Sequence, residues 1–254
     1  YLGADVESIG REKAGVFRKG RPAIFADTAM PRSVQRAAAD IEAQLLPLEQ
    51  AFGYQQLTQT NQWDYWGPGG KRYALPLPAL RGTYQLRNAS ACLAALDTLR
   101  ELLPVAQQHV KRGLAEVSLP GRFQVLPGQP VVILDVAHNP HAARSLAVNL
   151  RSMGKFARTL AVFAMLKDKD IAGVIDALAG QVDEWFVGSI QAARGADAAL
   201  LAKLLTGRGA RVQSHADVSA ALAGARRSAQ GNDRIAVFGS FYTVAEALRQ
   251  FGPA

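Results

Sequence analysis

The chain has 254 residues, 49% of them hydrophobic and 20% charged, with a formal net charge of +8 and one cysteine, Cys92. This composition supports one large or two modest cores and excludes wholesale disorder and a disulfide framework. No apolar run is long enough to span a bilayer and no signal peptide opens the chain, so no membrane partner is expected and the cytoplasm is the expected compartment.

The basic residues are scattered. Arg226-Arg227 and Lys111-Arg112 are pairs, and no Lys/Arg run is interleaved with aromatics. The positive balance therefore reads as a basic surface, or as a field that gathers anionic substrates, and not as a nucleic-acid site.

In chain order, residues 5–15 read as a short helix ending at Gly15, and 22–26 as a short strand. Pro31 opens a helix, and apolar residues keep helical spacing over 34–52. Two aromatic stretches, 63–66 and 73–77, flank Gly67-Pro68-Gly69-Gly70, a hairpin signal. Residues 83–103 carry Leu86, Ala89, Leu93, Leu96 and Leu99 or Leu103 near one helical face, and Pro104 restarts a helix running to about Val117. Cys92 on this stretch reads as a small core residue. The first part shows fewer strands than its helices need for cover, so it reads as truncated.

After Leu119-Pro120-Gly121 the rhythm changes. Apolar runs of strand length fall at 123–126, 131–134, 160–163, 185–187, Val212 and 235–238. Helical patterns lie between most of them, at 141–150, 171–179, 196–205 and 218–225, and one follows at 242–250. This alternation predicts an α/β, Rossmann-like domain of about six mostly parallel strands with flanking helices. The domain boundary is placed between 118 and 119.

In such a sheet ligands bind beyond the carboxyl ends of the strands. Val131–Leu134 leads into Asp135-Val136-Ala137-His138-Asn139-Pro140. Asp135 can accept hydrogen bonds from a ribose or hold a cation, and His138 can position an anion or shuttle a proton. Asp135 and Asn139 can equally cap the next helix. Met165-Leu166-Lys167-Asp168-Lys169-Asp170 and Gly239-Ser240-Phe241-Tyr242 follow two further strands. Lysines there can neutralise phosphate oxygens or sit in a solvated turn, and Ser240 can cap a helix or bond a carboxylate. Arg122, in Pro120-Gly121-Arg122-Phe123-Gln124, can reach nucleotide phosphates from a domain junction or form an ordinary salt bridge. Lys13 beside Glu12 reads as a surface ion pair. Asn88, polar within an apolar helix, is either solvent-facing or a binding group.

Taken in this order, Ser8–Gly15, Arg87-Asn88-Ala89, Pro120–Gln124, Leu134–Pro140, Met165–Asp170 and Gly239–Thr243 resemble the folylpolyglutamate synthase/dihydrofolate synthase family of the Mur ligase superfamily. The resemblance implies an ATP-dependent amide ligase that phosphorylates a carboxylate with ATP and Mg²⁺, then lets the amine of L-glutamate displace phosphate. It implies dihydropteroate or a folate as acceptor, a monomer, and a first part belonging to a P-loop-type ATPase domain. Residue by residue, Lys13 matches the lysine that is carbamylated to sit beside Mg²⁺. Asn88, Arg122 and Asp135 match positions at the adenine, phosphates and ribose of ATP. His138 and Ser240 match positions near glutamate, with Lys169 assisting.

The family's G-x-x-x-x-G-K-[ST] loop does not occur in the 254 residues; Gly70-Lys71-Arg72 and Gly154-Lys155-Phe156 do not qualify. A metal-ligand histidine of the family is expected just upstream of Tyr1. The chain as written carries about half of an ATP site and is not expected to form amide bonds alone. Two other readings stay open: a ligase of the same superfamily acting on a peptidoglycan precursor, and a nucleotide-binding module without catalysis. A nicotinamide-dependent dehydrogenase is disfavoured because no G-x-G-x-x-G follows a strand.

Overall fold

The computed structural model describes residues 5–82 and 84–251. The chain groups into two compact units, Tyr1–Ala79 with Tyr84–Val117, and Leu80–Thr83 with Ser118–Ala254.

The first unit begins with α1 (Val6–Ala14), β1 (Pro22–Phe25), α2 (Arg32–Asp40) and β2 (Gln44–Pro47). Asp5 starts α1 with a reciprocal capping box to Ser8. β1 and β2 pair in parallel. Three antiparallel strands follow, β3 (Gly53–Leu57), β4 (Gln62–Gly67) and β5 (Gly70–Pro76), then α3 (Gln85–Thr98) and α4 (Gln107–Glu116). Phe52, Trp63, Tyr65, Leu75, Leu93 and Ala94 form its core.

Several expectations are corrected here. The helical pattern over 34–52 stops at Asp40; the rest becomes β2 and the approach to β3. An apolar run that can be read at helical spacing also fits a short strand, and pairing with β1 decides for the strand. The first unit is not strand-poor: it holds five short strands among the described residues. Helix α3 ends at Thr98, leaving Leu99 and Leu103 exposed, and Cys92 is exposed and not in the core.

Asp97 is the buried polar anchor of this unit. Its carboxylate accepts from the Tyr65 hydroxyl at 2.6 Å and the Gly69 N–H at 3.1 Å, and pairs with Arg72 at 3.3 Å. Burial and the Asp97 charge push the Tyr65 phenol well above its ordinary range.

The second unit runs β6 (Gln124–Leu126), β7 (Val131–Asp135), α5 (Pro140–Ser152), β8 (Thr159–Phe163), α6 (Ile171–Ala177), β9 (Glu184–Gly188), α7 (Ala198–Thr206), β10 (Val212–His215), α8 (Val218–Ser228), β11 (Arg234–Phe238) and α9 (Phe241–Leu248). The sheet order is β10-β9-β8-β11-β7-β6, parallel except for β6. Strand alternation sends Ile133, Ala161, Phe163, Trp185 and Phe238 to one face, under α5, α6 and α7. It sends Val132, Leu134, Leu160, Val162 and Val237 to the other, under α8 and α9. This is the expected α/β architecture. No helix of the described residues is long and apolar enough to cross a membrane.

Two predictions follow from buried polar groups. Asp97→Ala strands the Tyr65 hydroxyl and the Arg72 charge, and should cost about 3 kcal/mol in urea unfolding; an unchanged midpoint counts against the anchor. His215 stacks on Phe186, and its buried Nε2 has no hydrogen-bond partner among the described residues. Burial, then the Arg227 charge, lowers its pKa, with Asp217 opposing. The unfolded chain therefore takes up the proton first as pH falls. Stability should be full above the ordinary histidine pKa of about 6.5 and fall as pH drops through it. His215→Phe should flatten that slope between pH 8 and 5.5, and an unaltered slope would exclude His215 as its source.

Candidate functional site

Strand β7 is covered on both faces, so its polar last residue, Asp135, emerges at the carboxyl end. One Asp135 oxygen accepts from the Ala137 N–H at 2.8 Å, the other from the Phe123 N–H at 3.0 Å. Its pKa is raised by burial, opposed by those two N–H groups and by the charges of Arg122 and His138. Each oxygen retains a lone pair for a further donor. The structure gives Asp135 a loop clasp, while Asn139 caps α5 through the Ala142 N–H and Pro140 takes its first position.

The clasp shapes the turn that carries Arg122. Gly121 has φ +71°, and an added Cβ would lie 2.8 Å from Val244 Cγ1. Phe123 is buried at φ +47°, a conformation costly for a phenylalanine. Four bonds among the described residues hold this turn: Phe123 N–H to Asp135, Val136 N–H to Gly121 O at 2.9 Å, Gly121 N–H to Gln124 Oε1 at 3.0 Å and Arg122 N–H to Leu119 O at 3.2 Å. Arg122 is left exposed, with no ion pair among the described residues.

His138 Nδ1 lies 2.8 Å from Val136 O. A carbonyl only accepts, so Nδ1 carries the proton, and Nε2 of the neutral ring is the acceptor.

The β11 loop is built differently. Gly239 has φ +117°, and a Cβ there would stand 2.3 Å from Ala164 O. Ser240 caps α9, accepting from the Thr243 N–H at 3.0 Å. Thr243 Oγ1 donates to Ala164 O at 2.6 Å, so the 2.7 Å bond between the hydroxyls takes its proton from Ser240. Ser240 is 3% exposed and its proton is committed inside the protein. Of its two expected roles, the structure contains the cap. The spacing Ser240-x-x-Thr243 is that of a capping pair, a signal present in the sequence. The bond to Ala164, distant in sequence, has no such signal.

In the β8 loop Asp170 caps α6 through the Gly173 N–H at 2.8 Å. Lys167 N–H donates to Arg194 O at 2.9 Å and Asp168 pairs with Arg194 at 3.2 Å, zipping this loop to the one after β9. Lys169 is exposed. Because β8, β11 and β7 are adjacent in the sheet, the loops bearing Lys169, Ser240 and Asp135–His138 leave neighbouring carboxyl ends.

Lys13 and Asn88 belong to the first unit. Lys13 is exposed in the last turn of α1, and the expected ion pair with Glu12 does not form. Adjacent helical residues diverge by about 100°, so they do not face each other. Asn88 is exposed on α3 and donates to Gln85 Oε1 at 3.4 Å. No group of three or more His, Cys, Asp and Glu side chains among the described residues could hold a metal.

Polar loops on three adjacent strand ends of a doubly covered parallel sheet define a ligand-binding α/β domain. Residues 121–241 match the family described as Mur ligase, glutamate ligase domain. The dihydrofolate synthase/folylpolyglutamate synthase of Escherichia coli strain K12 is 39% identical over 248 residues, which is 98% of this chain and 56% of that protein. The Escherichia coli enzyme FolC, solved in complex with DHPP and ADP, superposes with TM-score 0.90 at 37% identity, covering 99% of this chain and 58% of that one. A bifunctional folylpolyglutamate synthase/dihydrofolate synthase with Mn, AMPPNP and L-glutamate bound gives TM-score 0.88 at 41% identity, covering 100% and 59%. The chain belongs to the folylpolyglutamate synthase/dihydrofolate synthase family and spans somewhat over half the length of these relatives.

Thr243→Val keeps the volume but removes the donor to Ala164 O and the acceptor for Ser240. It should cost about 1–3 kcal/mol in urea unfolding. A midpoint equal to that of the parent would show that the link contributes nothing.

Proposed function

We propose that the protein carrying this chain is an ATP-dependent carboxylate–amine ligase that adds L-glutamate to dihydropteroate, to folate polyglutamate tails, or to both. The observation that carries the reading is the set of polar loops on adjacent strand ends of a Mur ligase, glutamate ligase domain. Relatives of the same fold bind ADP, or AMPPNP with Mn and L-glutamate. One free cysteine agrees with a cytoplasmic enzyme. In this reading it acts as a monomer, with neither nucleic acid nor membrane as partner.

The chemistry follows from the weakness of a carboxylate as an acylating agent. Transfer of the ATP γ-phosphoryl group to it gives an acyl phosphate, and attack by the glutamate amine forms the amide and expels phosphate. Arg122, exposed and without an ion pair among the described residues, offers its charge to ATP phosphate oxygens. Asp135 uses its remaining lone pairs to accept from ribose hydroxyls. Asn88, exposed on α3, serves the adenine. His138, protonated on Nδ1, presents Nε2 to the incoming glutamate as acceptor, and Lys169 supplies a cation there. Ser240 serves that subsite by fixing the first turn of α9, since its own proton is spent on Thr243.

Mg²⁺ would neutralise the charge that builds during phosphoryl transfer. Lys13 fits a role in holding it: its exposed amine has no ion-pair partner among the described residues and is accessible to CO₂; after losing a proton the neutral amine adds to the CO₂ carbon and releases a second proton to water, leaving an anionic carbamate. The first unit then belongs to a P-loop-type ATPase domain.

Arg122→Ala and Asp135→Ala should each cut glutamate-dependent phosphate release by about two orders of magnitude or more in the natural polypeptide. Circular dichroism must show the fold retained. Parent-like kinetics would reduce both residues to loop-building roles. Comparing dihydropteroate, tetrahydrofolate and a muramyl acceptor identifies the substrate, and turnover of the muramyl compound alone would overturn the folate reading.

A further inference from the structure

Phe241 opens α9 with its side chain 57% exposed, while Val244 and Ala247 of the same helix are buried. Packing does not account for it. Its ring lies 5.6 Å from the Arg122 guanidinium carbon and 6.2 Å from the His138 ring, tilted by 46°. Arg122 lies in the loop before β6, His138 in the loop after β7, and Phe241 at the start of α9 after β11. One exposed ring thus lies beside both Arg122 and His138.

We propose that Phe241 is a positioning residue, holding Arg122 toward phosphate and His138 toward the amino-acid substrate; the inference rests on the ligase reading. The chemical reason is charge. A carboxylate partner would hold Arg122 in place but neutralise the charge it offers to a phosphate. The face of a phenyl ring attracts the guanidinium through its quadrupole and leaves the cation, with its N–H donors, uncompensated. His138 is already anchored by Nδ1 on Val136 O, so a ring packed against its side restricts rotation and aims Nε2.

The test is a double-mutant cycle in the natural polypeptide. Phe241→Leu should raise KM for ATP roughly two- to fivefold, the worth of an exposed cation–π contact, with a smaller change in kcat. Phe241→Tyr should restore KM. In an Arg122→Ala background Phe241→Leu should add no further rise. An unchanged KM in the single variant, or the same rise in both backgrounds, overturns the proposal. A second readout does not need turnover: the ring signal of ¹³C-labelled His138 should shift in Phe241→Leu and return with Phe241→Tyr, and an unmoved signal removes the contact. Absence of glutamate-dependent phosphate release from the parent protein would overturn the ligase reading itself, leaving the histidine signal to decide whether the ring positions its neighbours.

Discussion

The second unit depends on one constraint: both faces of its six-stranded sheet are covered by helices. A parallel strand buried on both sides has no place along its length for a polar side chain without a partner. Polar chemistry is therefore pushed to the strand ends. Asp135 stands at the last residue of β7, and the polar residues after β8 and β11 come just past the last covered positions. The order β8-β11-β7 then brings three such ends side by side, though the middle one comes last in the chain.

The loops are kept in place by bonds that also set their chemistry. Asp135 spends one lone pair of each oxygen on a backbone N–H, and so holds a left-handed Phe123 that burial alone would not hold. Thr243 reaches across to Ala164 O and turns the Ser240 proton inward. Thus the side chains that look most like ligand groups divide into two kinds. Asp135 and Ser240 are spent wholly or partly on bracing the loops. Arg122, His138 Nε2 and Lys169 keep capacity that the described residues do not use.

The first unit solves a similar problem with Asp97. A carboxylate buried in that core is tolerable because a phenol, a backbone N–H and a guanidinium converge on it. It ties the β4–β5 hairpin to α3, while Lys13 and Asn88, the two candidate ligand residues of this unit, lie on exposed helix faces.

The sequence by itself determined the α/β rhythm of the second unit, because apolar runs of strand length alternating with helical spacing have few packed solutions. It also determined which loops carry polar chemistry, and the ordered motifs pointed to the family. It could not settle residues 34–52, where helical spacing and short strands look alike until β1 pairs with β2. Nor could it show Cys92 exposed, since a small residue on an apolar helix is compatible with either face. The contacts around these loops were decided by tertiary structure alone. Asp135 meets Phe123 where β6 folds back on β7, whereas Thr243 meets Ala164, and Phe241 meets Arg122 and His138, only once β11 lies between β8 and β7. These partners are far apart in sequence, and no local pattern records a contact that sheet order creates.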